Sequence, residues 1–125
     1  MPSHYSRHVL IVDDDPADQK LFAVELEKHG FSVITTALPE NAMAAIVGGA
    51  VGCIIIDQLI PITGGGELAN LAAGVRGDLC IIVFSGGHEP KQPPPAGTFY
   101  VSKDEPGALV EIVRNCMQRW IVEKS

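Results

Sequence analysis

Four short apolar runs in this chain each end in a polar residue suited to phosphate chemistry. Val9 to Val12 meets Asp13-Asp14-Asp15, Ile54 to Ile56 meets Asp57, Ile81 to Phe84 meets Ser85, and Phe99 to Val101 leads through Ser102 to Lys103. Strands buried on both faces of a parallel sheet read as continuous Val/Ile/Leu runs, and ligands bind beyond the carboxyl ends of such strands, where the strand order reverses. The pattern predicts carboxylates, a hydroxyl and an amine converging in one crevice.

The segments between these runs are helical in character, which makes the chain a β-α alternation. Asp15-Pro16 reads as an N-cap followed by proline in the first turn, and Gly30 as the stop of a helix over about 16–29. On it Phe22, Leu26 and His29 share a face with Gln19, and Leu21, Val24 and Lys28 widen the apolar stripe laid on the sheet. Phe31 to Thr36 is a short strand, Pro39 to Val47 a helix broken by Gly48-Gly49, and the third strand ends at Asp57. Gly64-Gly65-Gly66 precede a short helix over Glu67 to Ala73, Leu79 to Phe84 is the fourth strand, and Pro106 opens a last helix reaching about Glu123. Trp120 on that helix, near Val113, Cys116 and Met117, reads as core.

This alternation predicts an α/β fold, a doubly wound sheet of five parallel strands with helices on both faces, and right-handed crossovers restrict how they can wind. One helix is expected to be short or missing. Residues 86–98 hold Gly86, Gly87, Pro90, Pro93, Pro94, Pro95 and Gly97, too many breakers for an ordinary helix, so this stretch reads as a loop, with His88 and Glu89 as a solvated pair.

Composition narrows the function classes. At 125 residues the chain is one domain, 1–125, and 9 Lys+Arg against 15 Asp+Glu give a net charge of -6. That balance opposes attraction to nucleic acid and anionic lipid, and speaks against both as direct partners. Cys53, Cys80 and Cys116 cannot all pair, and two of them lie in apolar runs, so they are expected to be small buried thiols in a reducing compartment. The longest uncharged apolar stretch, Ala42 to Ile56, contains three glycines and falls short of the ~20 residues that span a bilayer. The start, Met1-Pro2-Ser3-His4, lacks the apolar core of a signal peptide, and the cytoplasm is the expected location.

Asp13 and Asp14 at one strand end and Asp57 at the next place three carboxylates together. Such charges raise one another's pKa, and a hard divalent cation relieves the repulsion; oxygen ligands that leave room for water suit Mg2+. Lys103 adds a positive charge and Ser85 a donor, which with the metal would hold the oxygens of a phosphoryl group on Asp57.

These residues resemble the receiver domain of two-component response regulators over nearly the whole chain. The likeness rests on Asp13-Asp14, the segment Asp57-Gln58-Leu59-Ile60-Pro61 with Gly65, Ser85-Gly86, Tyr100 and Lys103, with successive spacings of 44, 28 and 18 from Asp13 through Asp57 and Ser85 to Lys103. The resemblance implies a flavodoxin-like sheet with the strand order 2-1-3-4-5, and phosphorylation of Asp57 by a histidine kinase or histidine phosphotransfer protein. It implies direct Mg2+ binding by Asp14, action of Asp13 mostly through water, and the Leu59 backbone carbonyl as a further ligand. Ser85 and Lys103 would contact the phosphoryl group, and Tyr100 would occupy the switch aromatic position.

Three departures from the family pattern stand out. Asp104 follows the lysine where the family usually has a cis-proline, so Lys103-Asp104 is expected to be trans, with Lys103 placed less firmly. The proline-rich interval removes or degrades a helix that the family commonly uses for output. Leu59 and Gly87 are apolar or bare where polar side chains often assist hydrolysis, which predicts slow self-dephosphorylation. The reading is of a phosphoacceptor switch, not a turnover enzyme. Two alternatives remain open: a degenerate receiver acting as an interaction scaffold, and a small phosphatase of the haloacid dehalogenase type using Asp13-Asp14-Asp15. The kinase, the downstream partner or output domain, and homodimerisation are not specified by these residues.

Overall fold

The computed structural model describes residues 5–59, 64–85 and 97–122. Its elements in chain order are β1 (His8–Val12), α1 (Pro16–Glu27), β2 (Val33–Thr36), α2 (Pro39–Val47), β3 (Val51–Asp57), α3 (Gly65–Val75), β4 (Cys80–Ser85), β5 (Phe99–Ser102) and α4 (Pro106–Met117), closed by a 3-10 turn, Gln118–Trp120. The strands form one sheet in the order β2-β1-β3-β4-β5, with every pairing parallel, as the sequence predicts.

The apolar runs become the central strands because both faces of each are covered. Along β1, β3 and β4 alternate side chains enter two separate cores. Val9, Ile11, Cys53, Ile55, Ile82 and Phe84 pack with Phe22 and Leu26 of α1 and Leu109, Val113 and Met117 of α4. Leu10, Val12, Ile54, Ile56, Ile81 and Val83 pack with Ala42 and Ile46 of α2 and Leu68, Ala69 and Ala72 of α3. A period of two in the strands thus serves helices on both sides. The outer strands β2 and β5 are shorter and more open, with Ile34 and Phe99 exposed.

Local chemistry sets the helix starts. The Asp15 carboxylate caps α1 by accepting the Ala17 N–H at 2.9 Å, and proline occupies the first turn of α1, α2 and α4. Gly30, at φ 90, turns the chain out of α1 in the left-handed region that glycine tolerates.

Some expectations need correction. On α1 only Phe22 and Leu26 are buried, one turn apart on the face that packs into the core, and Leu21 and Val24 face outward. The last helix stops at Met117 and tightens into the 3-10 turn, which tucks Trp120 into the core beside the Tyr5–Ile121 bridge. Most consequentially, Cys80 and Cys116 are joined in a disulfide, so the expectation of three thiols fails; Cys53 alone is a free, buried thiol. Packing of α4 over β4 brings the two Cα atoms within 5.9 Å across 36 residues of sequence, a proximity that no local spacing encodes. Of the loop expected over residues 86–98, residues 86–96, with His88 and Glu89, lie outside the described residues, as does the question of a helix there. Among the described residues no helix is long and apolar enough to cross a membrane.

Candidate functional site

The chain leaves β1 toward β2 on one side and reaches β3 on the other, so the carboxyl ends of β1 and β3 flank the point where strand order reverses. Val12 pairs with Ile56 in register, and the residues that follow, Asp13 and Asp57, therefore emerge side by side. One carboxylate oxygen each from Asp13, Asp14 and Asp57 lies within 4.8 Å of the others, with Asp13 and Asp57 buried and Asp14 exposed. Three hard oxygen donors at this separation, open to solvent through Asp14, fit a cation of the Mg2+ type.

Lys103 reaches this cluster from the end of β5. Its Nζ lies 3.4 Å from Asp13 Oδ2, 3.5 Å from Asp57 Oδ1 and 2.8 Å from Asp18 Oδ2. The Lys103 N–H donates to the Ser85 carbonyl at 2.8 Å, which fixes the lysine backbone against the end of β4. No described peptide bond is cis, so Lys103-Asp104 is trans as expected, and the Asp104 N–H instead turns back to the Ser102 hydroxyl at 3.1 Å. The amine arrives at the carboxylates without a cis bond.

The charges tune one another. Burial raises the Asp13 carboxyl above the ordinary aspartate range; the Asp15 N–H, donating at 2.9 Å, opposes this, the Asp57 charge adds to it, and Lys103 opposes it again. For Lys103, burial disfavours the charged amine, but the Asp18 hydrogen bond and the charges of Asp13, Asp57 and Asp18 outweigh it and hold its pKa above the usual lysine value. The lysine is therefore a fixed cation at neutral pH.

Gly65, singled out only as part of a pattern, has a physical reason. A Cβ there would stand 2.7 Å from the Asp57 carbonyl oxygen and 2.7 Å from Gln58 Cα, so the start of α3 approaches the β3 end closer than any side chain permits. The Gly65 N–H donates to the Gln58 carbonyl at 3.1 Å, and the Leu59 N–H donates to Asp57 Oδ1 at 3.3 Å. Leu59, the expected carbonyl ligand, sits in the turn directly after Asp57 with its side chain exposed.

Ser85 ends β4, is buried, and pairs in register with Ser102, one residue before Lys103. Tyr100 is half-buried and packs against the core under α2 and α3; its hydroxyl is buried without a hydrogen-bond partner among the described residues, and burial raises the phenol pKa.

The sequence profile of the response regulator receiver domain matches residues 9–95. The chain belongs to this family. The fold of this receiver domain is shared with solved structures of low identity. A response regulator receiver domain protein from Clostridium thermocellum is 18% identical, with a TM-score of 0.80 over 90% of this chain and 95% of that one. A receiver protein from Sinorhizobium medicae WSM419 is 19% identical, with a TM-score of 0.78 over 90% and 94%. The receiver domain of the hybrid histidine kinase CckA is 24% identical, with a TM-score of 0.74 over 89% and 99%. No curated protein matches the sequence.

Of the residues expected at the receiver site, Asp13, Asp14, Asp57 and Lys103 come together, and Ser85 lies at the adjoining strand end. Sequence reasoning missed Asp18, which makes the shortest contact to Lys103. Its position in the first turn of α1, three residues after the capping Asp15, reads as an ordinary acidic first-turn residue and carries no further signal.

Proposed function

We propose that this receiver domain is a Mg2+-dependent phosphoacceptor in two-component signalling, with Asp57 receiving a phosphoryl group from a histidine kinase or histidine phosphotransfer protein. The observation that carries the reading is the meeting of one lysine amine with two buried carboxylates, 3.4 and 3.5 Å away, beside a third acidic group.

In the transfer, an Asp57 carboxylate oxygen attacks phosphorus, the P–N bond to the donor histidine breaks, and its electron pair returns to the imidazole. The product is an acyl phosphate on Asp57. Asp57 Oδ1 is engaged by the Leu59 N–H and Lys103, while no described residue bonds Oδ2, which suits Oδ2 to attack. Lys103 neutralises charge on the phosphoryl oxygens, and Ser85 would donate to one of them. Asp14 and Asp57, with Asp13 behind them and the Leu59 carbonyl, would hold Mg2+, whose part when bound is to offset the charge gathered at phosphorus. Positioning and charge neutralisation suffice, so no general base is needed. Tyr100 packs next to the β4–β5 ends, where it would register the state of Ser85.

This is a switch rather than a turnover catalyst, acting on a partner protein. The phosphatase alternative is disfavoured by Asp13 itself, its Oδ1 tied to the Asp15 N–H and its Oδ2 facing Lys103. The scaffold alternative drew on Asp104 and on the proline-rich loop; against the first, the Lys103 amine stands beside Asp13 and Asp57 although Asp104 follows it. Intact mass after incubation with Mg2+ and acetyl phosphate tests the reading. A phosphate adduct on the wild type and none on Asp57→Asn is expected, and no adduct on either would overturn it.

A further inference from the structure

Lys103 has more carboxylates around it than a phosphoryl site needs. The nearest belongs to Asp18, outside the three-carboxylate cluster: Asp18 Oδ2 lies 2.8 Å from Nζ, against 3.4 and 3.5 Å for Asp13 and Asp57. Asp18 is held firmly in place. It stands in the first turn of α1, whose start is pinned by the Asp15 cap and by the Gln19 side-chain amide donating to the Asp13 carbonyl.

The lysine needs such an anchor. Its backbone is fixed by the Ser85 carbonyl, but four flexible methylenes separate that point from the amine, and an unrestrained lysine loses considerable rotamer freedom when it must hold one position. The Nζ passes 5.9 Å from the centre of the Phe84 ring, itself locked edge-on against Phe22 at 4.4 Å. This ring supports the amine from below and leaves its lateral position to be set by charge. An ammonium has three donors. With one committed to Asp18 and one directed at Asp13, the third faces Asp57, where the phosphoryl group would arrive.

We infer that Asp18 is a positioning residue for phosphoryl transfer, a counter-ion on α1 that aims the Lys103 amine at Asp57. The inference rests on the phosphoacceptor reading and deepens it. Asp18 is not one of the three clustered carboxylates; it acts through the lysine. It gives this chain, with its trans Lys103-Asp104 bond, a side-chain means of placing the amine.

The test follows the rate of Asp57 phosphorylation by intact mass, with Mg2+ and acetyl phosphate, in the wild type and in Asp18→Ala, Asp18→Asn and Asp18→Glu. Asp18→Asn keeps the volume and one acceptor oxygen, removes the charge and turns the second oxygen into an amide NH2. Unfolding midpoints, read from Trp120 fluorescence, establish that each variant is folded under the assay conditions. The expected result is a rate about tenfold lower in Asp18→Ala and Asp18→Asn, the scale of one charge-assisted hydrogen bond, with Asp18→Glu recovering most of it. A merely structural role would not be rescued by restoring charge alone. Asp18→Asn reacting within about twofold of the wild type, or Asp18→Glu reacting no faster than Asp18→Ala, would overturn the inference. If the wild type itself takes up no phosphate, the phosphoacceptor reading fails first, so the two failures are distinct.

Discussion

Gly65→Ala should loosen the site from a position that carries no functional group. The added Cβ would stand 2.7 Å from both the Asp57 carbonyl oxygen and Gln58 Cα, whereas ordinary contact begins at 3.4 Å. The neighbours are backbone atoms of the turn after β3, so they cannot swing aside as a side chain would, and α3 and the turn must part by about 0.7 Å. Overpacking of this kind costs about 1–3 kcal/mol. The backbone at Gly65 is not in the left-handed region, so alanine also recovers about 0.4–1 kcal/mol by restricting the unfolded chain. The net expectation is a loss of about 1–2 kcal/mol. Gly66→Ala is the internal control: nothing lies within 4 Å of its Cβ, and only the unfolded-chain gain applies. Urea unfolding followed by the fluorescence of the single tryptophan, buried Trp120, measures both. With a slope of about 2 kcal/mol per molar urea, Gly65→Ala should lower the midpoint by roughly 0.5–1 M and Gly66→Ala should raise it slightly. Equal midpoints for the two variants would refute the reasoning, since the argument turns on what each Cβ meets.

Three further outcomes follow from the same geometry. The folded-state pKa of Asp13 is raised above 3.8, so its contribution to stability is fully present below that value and is lost as pH rises through the folded pKa. In metal-free buffer the stability difference between wild type and Asp13→Asn should therefore fall from acid to neutral pH; a flat or rising difference would contradict it. Denatured, unreduced protein should take up one alkylating group, at Cys53, and reduced protein three. Reduction should also cost about 2–4 kcal/mol in unfolding free energy, since the bond closes a loop of 36 residues; three alkylations without reductant would disprove the pairing. Finally, the exposed apolar Leu59 beside Asp57 offers no polar group to guide water, so phospho-Asp57 should persist for minutes or longer in purified, Mg2+-containing solution. Decay within seconds would refute this.

Much of the molecule was legible in the sequence because its main signals are local. A strand covered on both faces must be apolar at every position, so Val9 to Val12, Ile54 to Ile56 and Ile81 to Phe84 announce a parallel sheet, and a polar residue ending such a run marks a carboxyl end. The alternation and its handed crossovers restrict the strand order, the receiver-like motifs select β2-β1-β3-β4-β5, and that order sets Asp13, Asp14 and Asp57 side by side. Asp15-Pro16 fixed the start of α1 for the same reason, since capping acts within a few residues.

What only the tertiary structure decided are contacts between residues far apart in sequence. Leu21 and Val24 fit an apolar stripe, yet both lie in solvent, and α1 buries only Phe22 and Leu26 against the core. Cys80 and Cys116 pair because α4 packs on β4, and Asp18 meets Lys103 because the lysine side chain reaches from the end of β5 to the first turn of α1, across 85 residues. Periodicity states which face of an element is buried, and capping states where it begins. Which two side chains from separate elements then touch depends on how helices settle on the twisted sheet, a balance of packing over the whole core that no short window of sequence contains.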